Sequence, residues 1–445
     1  MTSLSHRARA AALVFVQAAA MFLAAGLTVT GAPAQQPSPV ALLGGASVTQ
    51  VASGSDPTAA IEALQGRLRR LPADDTAWSS LGAAYVQHAR LTGDPTFYGK
   101  ADGAFERSLD ERPAGNDTAL TGLASLASAR HDFTGALRYA RQAQELNPYS
   151  ATNQGVLTDA LVELGRYDEA WDELQRMVDL KPSVPSFTRV SYSFELRGDP
   201  KQARKALERA LEVASTPSDI SYALHYLGEL AWNSGDVDAA AERYVEGLRH
   251  DPSYVPLIAG MAKVAAARGE IEAALARYAE VVSRRPEPSY VIAYADLLDS
   301  LGREEEAEQQ YAVVAATQRL FESQGVNVDL ELAVYEADHG RSESALAIAE
   351  AEWERRRSVH TEDAYAWALH VGGRHREALD HAKAAAALGT HSASFAYHRG
   401  MIEQSLGMDG AAEASLRRAL ETNPHFSPLQ APRAEAALRQ LEQSS

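Results

Sequence analysis

Trp78-Ser79-Ser80-Leu81-Gly82-Ala83-Ala84-Tyr85 is the stretch that decides the fold. Spacings of three and four put Trp78, Leu81 and Tyr85 on one side of a helix. Ala101 and Phe105 follow at a spacing of four, and Pro113 closes the segment, as a second helix requires. The turn-forming Gly93-Asp94-Pro95 lies between the two helices, in an insertion somewhere in residues 88–100.

The same frame returns along the chain. Pro148 and Pro182 stand 34 residues apart, and so do Pro252 and Pro286. A glycine marks the turn inside most units: Gly165, Gly198, Gly235, Gly269, Gly302, Gly340, Gly373 and Gly407. Five residues after each comes an alanine: Ala170, Ala203, Ala240, Ala274, Ala307, Ala345, Ala378 and Ala412. A glycine there accepts the left-handed backbone that ends the first helix. The small alanine then lets the second helix approach the first. One turn on, Leu174, Leu207, Tyr244, Tyr278, Tyr311 and Leu416 supply the bulk that fills the gap.

With these residues in place, the chain resembles the tetratricopeptide repeat family from about Asp56 to its C-terminus. The resemblance implies an all-α, right-handed superhelical solenoid of about ten helix pairs over 56–445. Residues 56–73 read as a half-repeat cap, with Asp56-Pro57 starting a helix, Ile61, Leu64 and Leu68 at helical spacing, and Pro72 ending it. Residues 431–443 read as a C-terminal capping helix with Leu438 and Leu441 turned inward. Two units depart from the pattern. The one from about Val326 lacks its aromatic and ends in Arg355-Arg356-Arg357, and the next ends at Thr390 without proline. Distortion or altered curvature is expected there.

Composition narrows the function. The 445 residues carry 59 acidic and 42 basic side chains, a net charge of -17. Nucleic-acid binding needs basic surface, so this balance excludes it and favours a neutral or basic partner. With no cysteine, disulfides, thiolate catalysis and thiolate zinc sites are all excluded.

Residues 1–34 read as an export signal. His6, Arg7 and Arg9 precede an apolar run from Ala11 to Val29, and Ala32-Pro33-Ala34 offers small residues for cleavage before Gln35. An uncleaved membrane anchor is the alternative, since the run is long enough to span a bilayer. Either reading exports the rest, as a secreted or membrane-tethered protein. Residues 35–55 contain no charge and are rich in Pro, Gly, Ser, Ala and Val, the composition of a disordered linker.

No H-E-x-x-H, G-x-S-x-G, P-loop or G-x-G-x-x-G pattern occurs, so no enzyme, cofactor or metal site is expected. Six of the thirteen histidines fall in the last third: His360, His370, His375, His381, His391 and His398. None of them pairs at the i, i+4 spacing of a helical metal site. A metal-handling protein or enzyme built on this third is nonetheless the rival reading, and a self-assembling structural spacer is another.

The family's binding surface is the concave face, formed by the first helix of each unit. Carried to this chain, it implies a scaffold that holds a peptide or protein in the groove. The candidate residues are Asp159, Glu163, Tyr192, Glu195, Tyr222, His225, Glu229, Trp232, Asn233, Lys263, Asp296, Trp367, His370 and Tyr397. Aromatics left facing solvent would anchor a partner, and carboxylates beside them would select basic ligands. The ordinary alternative is that Tyr192 and Trp232 wedge neighbouring helices together. Only Lys263 and Asn233 are available to clamp a peptide's terminal carboxylate, too few for that mode of binding.

Overall fold

The computed structural model describes residues 57–444 except 328, so the readings made for 1–34 and 35–55 lie outside the described residues. Every described element is a helix. α1 (Pro57–Arg70) stands alone and buries Ile61 and Leu68. Units one to three are α2 (Asp75–Thr92) with α3 (Phe97–Glu111), α4 (Asp117–Ala129) with α5 (Phe133–Leu146), and α6 (Ala151–Glu163) with α7 (Tyr167–Leu180). Units four and five pair α8 (Val184–Leu196) with α9 (Pro200–Val213), and α10 (Pro217–Asn233) with α11 (Val237–His250). Units six to eight pair α12 (Val255–Ala267) with α13 (Ile271–Arg284), α14 (Pro288–Ser300) with α15 (Glu304–Ser323), and α16 (Asp329–Asp338) with α17 (Ser342–Arg355). Units nine and ten pair α18 (Val359–Val371) with α19 (His375–Ala385), and α20 (Ala393–Ser405) with α21 (Asp409–Thr422). α22 (Gln430–Ser444) packs on α21, with Leu441 buried. The molecule is an all-helical repeat solenoid.

The glycine–alanine frame works as its chemistry demands. All eight turn glycines have φ between 67 and 78°, and all eight alanines are at most 2% exposed. At Gly235 the turn closes with two backbone bonds, Gly235 N–H to Trp232 O (2.9 Å) and Asp236 N–H to Ala231 O (3.0 Å). Asp236 then caps the next helix by accepting from Ala239 N–H at 3.0 Å. In unit one, a Cβ built on Gly82 would lie 2.6 Å from the ring of Phe105, so the glycine of the opening motif makes room for the aromatic of the second helix.

The solenoid does not stay open. Its second superhelical turn sits on its first, along a seam with a constant register. The turn inside each of units one to five meets the loop that follows the unit five further on. Gly93 lies against Arg285 and Glu287. His131 Nδ1 is 2.5 Å from Asn327 O, and Asn327 N–H donates to Arg130 O at 3.0 Å. Arg356 bonds Glu163 at 2.5 Å, and Val359 N–H donates to the Tyr167 hydroxyl at 2.8 Å. The Thr390 hydroxyl donates to Leu196 O at 2.7 Å, and Asn423 Nδ2 donates to Trp232 O at 2.9 Å.

The partners in the side-chain bonds from His131, Arg356, Val359, Thr390 and Asn423 are 191 to 196 residues apart. The loops that departed from the repeat pattern, at Arg355–Arg357 and Thr390, are seam loops. The seam loops at Pro286 and Pro424 keep their prolines, so a missing proline is not what makes a loop meet the first turn.

Candidate functional site: the inner channel

Coiling two superhelical turns on one another leaves between them an open-ended channel of about 1730 Å³. Its wall is built mostly from first helices, from Gln87 on α2 through Tyr192, His225, Lys263, Asp296, Asp338, Asp363 and His398 to Gln430 on α22. First helices face inward because each second helix uses its alanine face to pack outside them. The channel is therefore a direct product of the repeat frame, and its closure a product of the seam.

Eight of the fourteen candidate residues line it: Tyr192, Glu195, His225, Glu229, Trp232, Asn233, Lys263 and Asp296. Their exposure corrects the sequence reading. Among all fourteen, Asn233 alone is exposed, and Tyr222, Trp232, Trp367 and Tyr397 are buried. Tyr222 is 1% exposed, in the core between units four and five. Trp232 is held at the seam, its ring 6.5 Å from that of His425. The indole of Trp367 donates to Asp338 at 2.7 Å, and Tyr397 packs on Phe426 and Trp367. These rings wedge helices together, and free solvent-facing anchors they are not.

The remaining candidates are engaged elsewhere. Asp159 is gripped through both oxygens by Arg189, at 2.7 and 2.6 Å. Glu163 is spent on Arg356 in the seam. His370 faces His375, with 3.2 Å between their Nδ1 atoms, and burial takes His370 down to about 4 with the nearby His375 adding to it. Among the described residues no three His, Asp or Glu side chains form a group able to hold a metal ion.

The channel wall is electrostatically uneven. Glu229 is buried, which opposes its charge, but Lys263 Nζ at 2.7 and 2.8 Å and the Tyr244 hydroxyl at 2.7 Å override this and hold it down to about 2. His225 is pushed down to about 4 by burial, and so is neutral at pH 7. Glu195 has a different fate. Burial raises it to about 7, against the weak help of the Ser191 hydroxyl at 3.2 Å, and Glu229 adds to the rise. Asp296 is likewise raised to about 7 by burial, although it accepts from Tyr311 at 2.9 Å. Its one basic neighbour at close range is His339, whose Nε2 stands 3.5 Å away. Among the described residues, Glu195 and Asp296 are thus channel acids for which no lysine or arginine supplies an ion pair like that of Glu229.

Of the second-turn residues that reach the same space, the groove reading included Lys263 and Asp296 but not Asp338 or Asp363, and it left His360 and His398 to the rival metal reading. Tyr192 meets His360 at 3.1 Å across 168 residues.

Three sequence profiles of the tetratricopeptide repeat match the chain, at residues 121–185 and 195–254, at 231–293, and at 393–426. The chain therefore carries tetratricopeptide repeats. Proteins with this repeat generally mediate protein–protein interaction and are typically non-catalytic scaffolds. No curated protein matches the chain. Among solved structures, it is similar to a thermophilic tetratricopeptide repeat protein of Thermus thermophilus. The match has 23% identity and a TM-score of 0.38, covering 43% of this chain and 98% of that one. A tetratricopeptide repeat protein of Parabacteroides merdae is 18% identical with a TM-score of 0.33, over 58% of this chain and 98% of that one. The human IFIT1 dimer with PPP-AAAA is 14% identical with a TM-score of 0.45, over 82% of this chain and 86% of that one.

Proposed function

We propose that the protein is a binding scaffold that holds an extended polypeptide segment, neutral or basic, in its inner channel and outside the cytoplasm. The carrying observation is the wall itself: eight candidate groove residues share one space, and among the described residues Glu195 and Asp296 stand there as acids without a lysine or arginine ion pair. A closed second turn favours an extended segment over a folded surface, because the wall is reached only within the channel. Helices held by inter-unit packing are ordered beforehand, so little entropy opposes capture. The basic residues at 6–9 and the apolar run that follows support export.

A photo-crosslinking residue placed at Asn233, in the channel, is expected to capture the partner in the native host. The same residue at Arg204, on an exposed second-helix surface, is expected not to. Equal capture at both positions refutes the channel as the binding surface. Fractionation of the host tests the location, since recovery of the full-length chain in the cytoplasm alone contradicts export.

A further inference from the structure

The wall of the channel is aromatic where units five to seven form it. Tyr226, Tyr254 and Tyr290 line the channel and are half-buried, and so does His225. The His225 ring lies 5.0 Å from Tyr226 and 6.2 Å from Tyr254, with planes at 67° and 75°. The repeat frame sets these positions. Tyr226 is on α10, Tyr254 directly precedes α12, and Tyr290 lies in the first turn of α14. All three therefore belong to first helices or to the loop that leads into one.

Two of these rings carry a hydroxyl that the protein leaves unused. Among the described residues, no hydrogen bond reaches the side chain of Tyr254 or Tyr290, and neither hydroxyl is shut away from solvent. Burial of the rings pushes both phenols up, so each hydroxyl keeps its proton and stays a donor at physiological pH.

The acids whose charges reach these phenols are Asp251, Glu229 and Glu287. Each is engaged elsewhere. Glu229 holds Lys263 and the Tyr244 hydroxyl. Glu287 Oε1 holds Arg285, at 2.7 and 2.6 Å. Asp251 accepts from the N–H and the hydroxyl of Ser253, at 2.9 and 2.7 Å. This part of the wall thus offers spare donors and aromatic faces, and its acids are already taken.

A ligand rich in carbonyl oxygens and poor in N–H groups answers such a wall. Proline has no N–H, and a polyproline II helix makes no internal hydrogen bonds, so its carbonyls stand free. It is also extended beforehand, and its rings dock on aromatic-lined grooves. We propose that the channel takes a proline-rich segment in the polyproline II conformation. The hydroxyls of Tyr254 and Tyr290 donate to its carbonyls, and its prolines seat on the rings of Tyr226, Tyr254 and Tyr290. This rests on the channel reading above and adds to it the class of segment that is held.

The test compares fluorescein-labelled decaproline with a glycine–serine peptide of equal length, by anisotropy against the full-length protein. Wild type is expected to bind decaproline and not the glycine–serine peptide. Tyr254→Phe combined with Tyr290→Phe keeps both rings and deletes both donors. It is expected to weaken decaproline about tenfold, the order of two neutral hydrogen bonds. Should the double variant fail to fold, each single variant is read in its place, with a loss of about threefold expected. Arg204→Ala, on the outer surface, is expected to change nothing. Equal binding of the two peptides, no binding of either, or decaproline binding indifferent to the Phe variants overturns the proline site. Crosslinking at Asn233 then decides the channel separately. Capture of a partner through a segment without proline leaves the channel standing, and capture of none overturns it as well.

Discussion

The turns of units three to five and those of units six to ten are nearly the same in local sequence and opposite in circumstance. Gly165, Gly198 and Gly235 have φ of 72, 67 and 76°, and Gly302, Gly340 and Gly407 have 72, 72 and 69°. A Cβ added to the first three would strike the backbone of the second superhelical turn. A Cβ added to Gly269, Gly302, Gly340, Gly373 or Gly407 would meet nothing within 4 Å. One motif therefore makes eight similar bends, and only the coil of the whole chain decides that three of them are covered and five are free. Local conformation and tertiary environment are separable here.

The comparison breaks most visibly at Arg356. Its guanidinium is 6% exposed and pairs with Glu163 across the seam and with Glu352 beside it, itself 1% exposed. Arg356→Ala strands buried carboxylates, and an expected loss of about 3–5 kcal/mol should appear in urea unfolding. Arg303→Ala, at a free turn where Arg303 pairs with exposed Glu306, is expected to leave the midpoint unchanged.

A pH series probes both superhelical turns together. Glu195, in the first, and Asp296, in the second, are both raised to about 7 by burial. The folded state holds their protons more tightly than the unfolded state does. Their contribution to stability is therefore greatest below the ordinary carboxylate range. It falls as pH rises from about 4 to about 7, then levels off. Glu195→Gln should accordingly stabilise the protein at pH 8 by up to about 3 kcal/mol. At pH 4 the gain should vanish, and a gain equal at both pH values contradicts the assignment.

The glycines sharpen the contrast. Gly198→Ala and Gly302→Ala share the left-handed strain, about 1 kcal/mol each. The new methyl at 198 would also sit 2.1 Å from Gly389 O, so the seam must part. An extra loss of about 1–3 kcal/mol is expected at 198, with a larger radius of gyration by solution scattering. Equal losses at the two positions mean that the seam contributes nothing. A modest effect is expected from Asn423→Ala. It removes the bond to Trp232 O and the one accepted from His425 N–H, for about 1–2 kcal/mol by thermal unfolding, and leaves units one to four untouched.

Much of the fold was legible because its determinants are short-range. Gly235 and Ala240 lie five residues apart, and what each must do follows from backbone geometry and the space between two helices. The inner wall was legible to the same degree, since a first helix must face inward when the alanine face of the second is used for packing. The environment of individual side chains was not. Sequence leaves Trp232 either a groove anchor or a helix wedge and makes Trp367 a groove candidate, because nothing within their own units covers them. They are covered by His425 and by Asp338 hydrogen-bonding, residues 193 and 29 positions away. Asp159 looked like a groove acid until Arg189 of the next unit took both its oxygens.

Sequence alone determined that this chain is a stack of helix pairs with small, fixed bends, because propensity, capping and the glycine–alanine frame act over a few residues. Only the tertiary structure decided that the stack coils tightly enough for its second turn to rest on its first. That outcome sums small rotations over five units, and no local pattern records the sum. The channel between the two superhelical turns follows from it.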